Sequence, residues 1–173
     1  MGRCRAEERQ LAMKKVLLIA TTRLSMDGLT EILLRVARIA AREYSVGFAL
    51  GEGCSTDIQL QLEAIGSVYE LPSRKKQLPC YMAALASLVK KKGYEVVHIH
   101  GNSATMAFDL LAAWAGGATV RITHCHNCAY QPALKQATLG KLLNRLVTDP
   151  VACSRAAGEM LYTRPFRVLV NGI

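Results

Sequence analysis

The chain has 173 residues, 51% of them hydrophobic, which is enough apolar material for one α/β domain with a sizeable core and excludes a disordered chain. Its formal net charge of +9 suits an anionic partner, but aromatics make up only 6% and do not interleave with the basic runs, which argues against stacking-type nucleic-acid binding. Six cysteines are scattered through ordinary α/β sequence, with no signal-like segment and no apolar run approaching about 18 residues, so reduced cytosolic thiols are expected rather than a disulfide frame or a transmembrane helix.

Residues 1–12 are polar, mixed in charge and aperiodic, and Met13-Lys14-Lys15 ahead of an apolar run reads as a second start. This segment is expected to be an upstream extension or a disordered tail. The run at 16–20 predicts the first strand and 21–28 a polar loop. Residues 29–42 carry apolar positions at helical spacing, with Arg35, Arg38 and Arg42 on the other face and Asp27 or Thr30 as cap. A second strand at 46–50 ends at Gly51-Glu52-Gly53, a short helix capped by Ser55 or Thr56 covers 57–65, and a third strand covers 67–71. Residues 72–79 form a basic loop, and 80–92 a helix whose carboxyl-terminal lysines suit the helix dipole, with Gly93 as its stop.

The fourth strand is expected at 96–100, then a helix at 104–115 capped by Asn102 or Ser103 and ended by Gly116-Gly117. Strand five falls at 119–125, followed by a loop at 127–131 and a helix from Pro132 to about residue 147. A short strand at 151–153, a helix from the Ser154 cap to 161 and a last strand at 167–170 complete the chain. Strand and helix alternate throughout, which predicts a doubly wound, Rossmann-like three-layer sandwich with a mostly parallel sheet.

All four histidines fall at the carboxyl ends of two of these strands, His98 and His100 in Val96-Val-His-Ile-His-Gly101, His124 and His126 in Arg121-Ile-Thr-His-Cys-His-Asn127. Ligands of open α/β sheets bind outside the carboxyl ends of the strands. Residues two apart on a strand share a face, so each pair points one way, with Ile99 and Cys125 pointing the other. The distal members, His100 and His126, are expected to meet ligand; His124 sits one step deeper, and His98 is expected to be a hydrogen-bonded core histidine. Imidazoles there suit orienting a sugar hydroxyl or a phosphate, or acid–base work near neutral pH. Asp27-Gly28 opens a helix, whose amino end either holds a phosphate or is a plain turn. The three-glycine dinucleotide fingerprint is missing, which argues against nicotinamide or flavin. His124-Cys125-His126-Asn127-Cys128 invites a zinc reading, but Cys125 alternates away from its neighbours, so no metal is expected, and the remaining cysteines read as small core residues. Arg74-Lys75-Lys76 and Lys90-Lys91-Lys92 read as solvated charge, with docking on anionic lipid headgroups as the second reading.

Taken in order, Lys14-Lys-Val-Leu-Leu-Ile19, Met26-Asp-Gly-Leu-Thr-Glu31, Val96-Val-His-Ile-His-Gly-Asn102, Arg121-Ile-Thr-His-Cys-His-Asn127, Val151-Ala-Cys-Ser154 and Val168-Leu-Val-Asn-Gly-Ile173 give a chain that resembles the amino-terminal domain of bacterial family 4 glycosyltransferases of the GT-B fold, including the capsular and exopolysaccharide branch. The resemblance runs over 13–173. It implies two Rossmann-like domains facing across a cleft, the first holding mainly the acceptor and the second the nucleotide-sugar donor, in a retaining hexosyltransferase that needs no cofactor or metal. His126 matches a catalytic histidine lining the reacting centre. His100, Gly101, Asn102 and Asn127 match the acceptor side of the cleft, and Gly28 the loop that approaches the donor phosphates. Asp27 departs from the pattern, because many members have a second glycine there.

Asn171-Gly172-Ile173 matches the start of the interdomain linker, so the second domain, with its pair of donor-binding glutamates, is expected to be absent. The resemblance thus implies the acceptor-binding half of a transferase in surface polysaccharide synthesis, inactive alone, cytoplasmic or peripheral on the inner face of the cell membrane. Its partners would be a glycan or lipid-linked acceptor, the missing donor domain and anionic lipid, with no nucleic acid. Two alternatives stand beside it: a stand-alone acceptor-binding subunit that pairs with a separate donor domain, and a small Rossmann-like metal-dependent hydrolase using the four histidines.

Overall fold

The structure, a computed structural model, describes residues 14–127 and 136–170. The expected extension, the turn into the helix at Pro132 and the linker at 171–173 lie outside the described residues. The elements run β1 (Lys15–Ala20), α1 (Gly28–Ala40), β2 (Ser45–Leu50), α2 (Thr56–Glu63), β3 (Ser67–Glu70), α3 (Leu78–Lys92), β4 (Val96–Gly101), α4 (Met106–Ala115), β5 (Val120–Cys125), a π-helical turn (Gln136–Gly140) leading into α5 (Lys141–Leu146), β6 (Asp149–Ala152), α6 (Arg155–Leu161) and β7 (Arg167–Val168).

The strands form one sheet in the order β3-β2-β1-β4-β5-β6-β7, with every neighbouring pair parallel. The winding direction reverses between β1 and β4, so the crevice at the carboxyl ends of these two strands is the switch point. Helices cover both faces, which is why β1 reads as an unbroken apolar run rather than an alternating one. Leu18, Ala20, Phe48 and Leu50 pack with Leu33, Leu34 and Ala37 of α1 and Ile58 and Leu62 of α2. Leu17, Ile19, Val97 and Ile99 point the other way, into a larger core with α3, α4, α5 and α6. This is the expected doubly wound Rossmann-like α/β sandwich, and its sheet among the described residues is entirely rather than mostly parallel.

Local chemistry sets the element ends. The Asp27 carboxylate caps α1 by accepting from the Thr30 N–H at 2.9 Å, and Ser154 caps α6 by accepting from Ala157 N–H at 3.2 Å. Gly93 ends α3 at φ 70°, where a side chain would be strained. β6 begins two residues before the expected 151 and includes Pro150, which has no N–H to give a ladder and therefore reads in sequence as a break.

One expectation is corrected on the α3–α4 face. Arg74 is not solvated charge: its side chain is only 10% exposed and its partner Asp109 is fully buried. The Arg74 Nη2 donates to Asp109 Oδ2 at 2.7 Å and to the Thr105 carbonyl at 2.8 Å, and Tyr81 Oη donates to Asp109 Oδ1 at 2.7 Å. Burial, then the neighbouring carboxylate, pushes the Tyr81 phenol well above its usual range, so it remains a donor. Asp109, which in sequence merely interrupts an apolar helix, thus ties the loop after β3 and α3 to the first turn of α4, just behind the loop that follows β4. Lys75 and Lys76 are exposed, as expected.

Removing one partner leaves an uncompensated buried charge. Arg74→Ala is expected to lower unfolding free energy by about 3–5 kcal/mol in urea titrations, whereas the paired replacement Arg74→Met with Asp109→Leu should recover most of that loss. A single-variant loss below ~1 kcal/mol would contradict the buried pair.

Candidate functional site

Parallel pairing places His100 opposite His124, His98 opposite Ile122 and Gly101 opposite Cys125. On the other side β4 pairs with β1, with His98 opposite Leu18 and His100 opposite Ala20. Paired residues in a sheet share a face, so His98, His100 and His124 all stand on the α1 face. The ladder continues one step beyond β5, where His126 N–H donates to the Gly101 carbonyl at 3.2 Å. The four rings therefore form one group. Ring centroids are 4.2 Å apart for His98–His100, 5.3 Å for His100–His124, 4.1 Å for His124–His126 and 5.2 Å for His100–His126. His100 Nδ1 lies 3.0 Å from His126 Nε2, a hydrogen bond in which one ring donates and the other accepts.

The burial order differs from that expected. His126 is half-buried and outermost, but His100 is fully enclosed, more so than His98 at 8%. The other imidazoles contribute to this: the rings of His98, His124 and His126 stand 4.2, 5.3 and 5.2 Å from that of His100. His98 is buried as expected, but its Nε2 lacks the hydrogen bond expected of a core histidine.

Burial also sets the charge. Desolvation is the main cause that pushes His98 and His124 down to about 3, with repulsion between the rings adding to it. His100 is driven well below its ordinary value by the same causes. His126 falls to about 4 through burial, while the Asp27 carboxylate pulls the other way. The rings are therefore neutral at pH 7.

The other sequence candidates lie around this group. Gly101 has no room for a side chain, since a Cβ there would meet Thr21 Oγ1 at 2.6 Å and Met106 Sδ at 3.0 Å. Asn102 is half-buried and Asn127 exposed, and Cys125 Sγ donates to the Asn127 carbonyl at 3.3 Å. Cys125 itself is buried in the core of the opposite face, as the alternation required. Gly28 is exposed with open space where a Cβ would go. Burial raises the Asp27 carboxyl, but hydrogen bonds from Thr30 and Ser25 more than offset this and hold it below the usual range. The helix amino end thus already holds an anion of its own. A cavity of about 460 Å³ also opens between α1 and α2, lined by Ser25, Asp27, Gly28, Thr30, Ile58 and Gln61 among others. None of the histidines lines it, and nothing in the sequence pattern marks it.

No protein-family model matches the chain, and no curated protein matches it in sequence. Solved structures match it in fold. The chain is similar to Acinetobacter baumannii MurG (TM-score 0.63, 13% identity, 90% of this chain and 45% of that one). It is also similar to Anabaena Alr3699/HepE in complex with UDP and glucose (TM-score 0.67, 14% identity, 92% of this chain and 45% of that one). A UDP-N-acetylglucosamine 2-epimerase matches at TM-score 0.56 and 14% identity, over 86% of this chain and 44% of that one. The chain thus spans less than half the length of these structures, and the likeness is one of fold: GT-B glycosyltransferases stand among its neighbours.

The depressed histidines give a signed prediction. A group whose neutral form is favoured in the fold binds its proton more readily when unfolded, so the stabilisation is complete above the unfolded value near 6.5 and is lost as pH falls toward the folded values. In chelator-treated protein, stability from urea titration should be flat between about pH 8 and 7. It should then drop by ~1.4 kcal/mol per pH unit for each of the buried rings of His98, His100 and His124. Stability unchanged from pH 7 to about 5 would contradict the burial of the cluster.

Proposed function

We propose that the chain is the acceptor-side half of a nucleotide-sugar-dependent glycosyltransferase, of the retaining family 4 type, acting in surface polysaccharide synthesis. The observation that carries this reading is the placement of His126. It is the outermost imidazole, hydrogen-bonded to His100, at the carboxyl edge of the sheet beside the switch point. In this reading His126 is the catalytic position. His100 fixes its tautomer, since two neutral rings can share the bond only with one N–H between them. Gly101, Asn102 and Asn127 form the acceptor-side wall of the cleft. Gly28 leaves room for the donor phosphates, although the neighbouring Asp27 carboxylate opposes their charge. The donor half must therefore supply most of the phosphate stabilisation, and this half alone transfers little or no sugar.

A lipid-linked or growing glycan is the acceptor that best suits the basic surface. Lys75, Lys76, Lys90, Lys91 and Lys92 are exposed, and each adds up to ~1 kcal/mol of attraction near an anionic bilayer. No helix among the described residues is long and apolar enough to cross a membrane, so contact with the inner face would be peripheral. Nucleotide-sugar chemistry other than transfer is the second reading, favoured by the epimerase likeness. A stand-alone acceptor-binding subunit is a variant of the first.

Thermal melting against a panel of ligands tests the proposal. Lipid-linked saccharides or glycan fragments should raise the melting temperature, free nucleotide sugars should leave it within about 1 °C, and His126→Ala should abolish the glycan response. In a polypeptide that includes a donor domain, His126→Ala should lower turnover roughly 10²–10⁴-fold. A strong shift with one nucleotide sugar, or robust transfer by the purified chain, would overturn the assignment to the acceptor side.

A further inference from the structure

Buried polar atoms in folded proteins almost always have partners, and an imidazole nitrogen without one bears a desolvation cost. Here the shortfall is concentrated in one place. Nε2 of His98, Nε2 of His100, both ring nitrogens of His124 and Nδ1 of His126 are buried and make no hydrogen bond. His98, His100 and His124, all buried, each offer a nitrogen within 4.8 Å of the others. Two adjacent strands in register bring them together, so the cluster is built into the sheet and does not depend on a loop.

We propose that His98, His100 and His124 bind one zinc ion. Imidazole nitrogen suits zinc, and three protein ligands with water in the fourth tetrahedral position form a known coordination type. The cluster also supplies an outer shell. His100 Nδ1 is engaged by His126 Nε2, which leaves the unpaired His100 Nε2 as the ligand atom and fixes its tautomer, as outer partners of zinc-bound histidines do. Nitrogen atoms around zinc lie about 3.3 Å apart, so the stacked rings must turn a little to close on the ion, a side-chain motion that leaves the strands in place. Cys125 takes no part, because it points into the opposite core. The ion would clamp β4 to β5 at the carboxyl edge and, through His100, hold His126 in place. The metal proposal rests on the geometry of the cluster and not on the sugar-transfer reading.

The experiment uses the whole chain, stripped with chelator, dialysed against zinc and analysed by elemental emission. One zinc per chain is expected, with a melting temperature raised by roughly 5–10 °C at a hundredfold excess over the dissociation constant. Cobalt in its place should give the visible absorption of a tetrahedral nitrogen site. His98→Gln and His124→Asn should each weaken zinc binding at least about tenfold, and Cys125→Ser should leave it unchanged. If the histidine variants fail to fold, the cobalt spectrum of the unaltered chain decides, since thiolate charge-transfer bands would place the metal on cysteine. No stoichiometric metal at micromolar zinc, or binding that survives both histidine variants, would overturn the proposal.

Discussion

The register between β4 and β5 is the constraint on which the rest of this molecule depends. Because His100 pairs with His124 in a parallel ladder, the two-residue periodicity of each strand puts His98, His100 and His124 on one face and Ile99 and Cys125 on the other. A slip of one residue in either strand would send its histidines into the α3–α4 core and its apolar residues toward α1. Parallel pairing on both sides of β4 fixes that register, and the fit of Gly101 between Thr21 and Met106 leaves the strand end no room to shift.

Two polar clusters sit near the same edge of the sheet, on opposite faces, and they resolve the cost of burial differently. Arg74 and Asp109 satisfy one another as an ion pair, with Tyr81 and the Thr105 carbonyl taking up further hydrogen-bonding capacity. Among the described residues no carboxylate pairs with the histidines, and burial favours their neutral form instead. The first arrangement stiffens the support behind the loop after β4. The second makes a set of neutral, partner-poor nitrogen atoms beside the crevice where α/β sheets bind ligands. One cluster is thus complete in itself, and the other has capacity left for a ligand.

Much of this was legible in the sequence, for a simple reason: strand and helix periods are local. The alternating elements, the doubly wound sheet, the shared face within each histidine pair and the divergence of Cys125 all follow from spacing along one segment. What was not legible depends on which segments become neighbours. Arg74 lies in a basic run and Asp109 in an apolar helix, and neither spacing hints that they meet. His100 was expected to be open because it is distal on its strand, but the rings of His98, His124 and His126 gather around it. The convergence of His98 and His100 with His124 required the β4–β5 pairing itself. Pro150 hid the start of β6 because its missing N–H is a fair signal of a break even where the sheet tolerates it.

The likeness to MurG and HepE is one of architecture, and identities of 13% and 14% carry no side-chain roles across. Function in this chain has to be argued from its own histidines, and the central claim is that they form one neutral cluster at the strand ends, with His100 and His126 joined by a hydrogen bond. Nitrogen-15 NMR of the imidazole rings tests that claim most directly, since the chain has only four histidines and each ring reports its own protonation and tautomer. The account predicts four neutral rings at about pH 6, with His100 and His126 joined by one shared N–H and no ring titrating near the ordinary value of about 6.5. Three or more rings titrating freely near that value, with averaged tautomers, would contradict it.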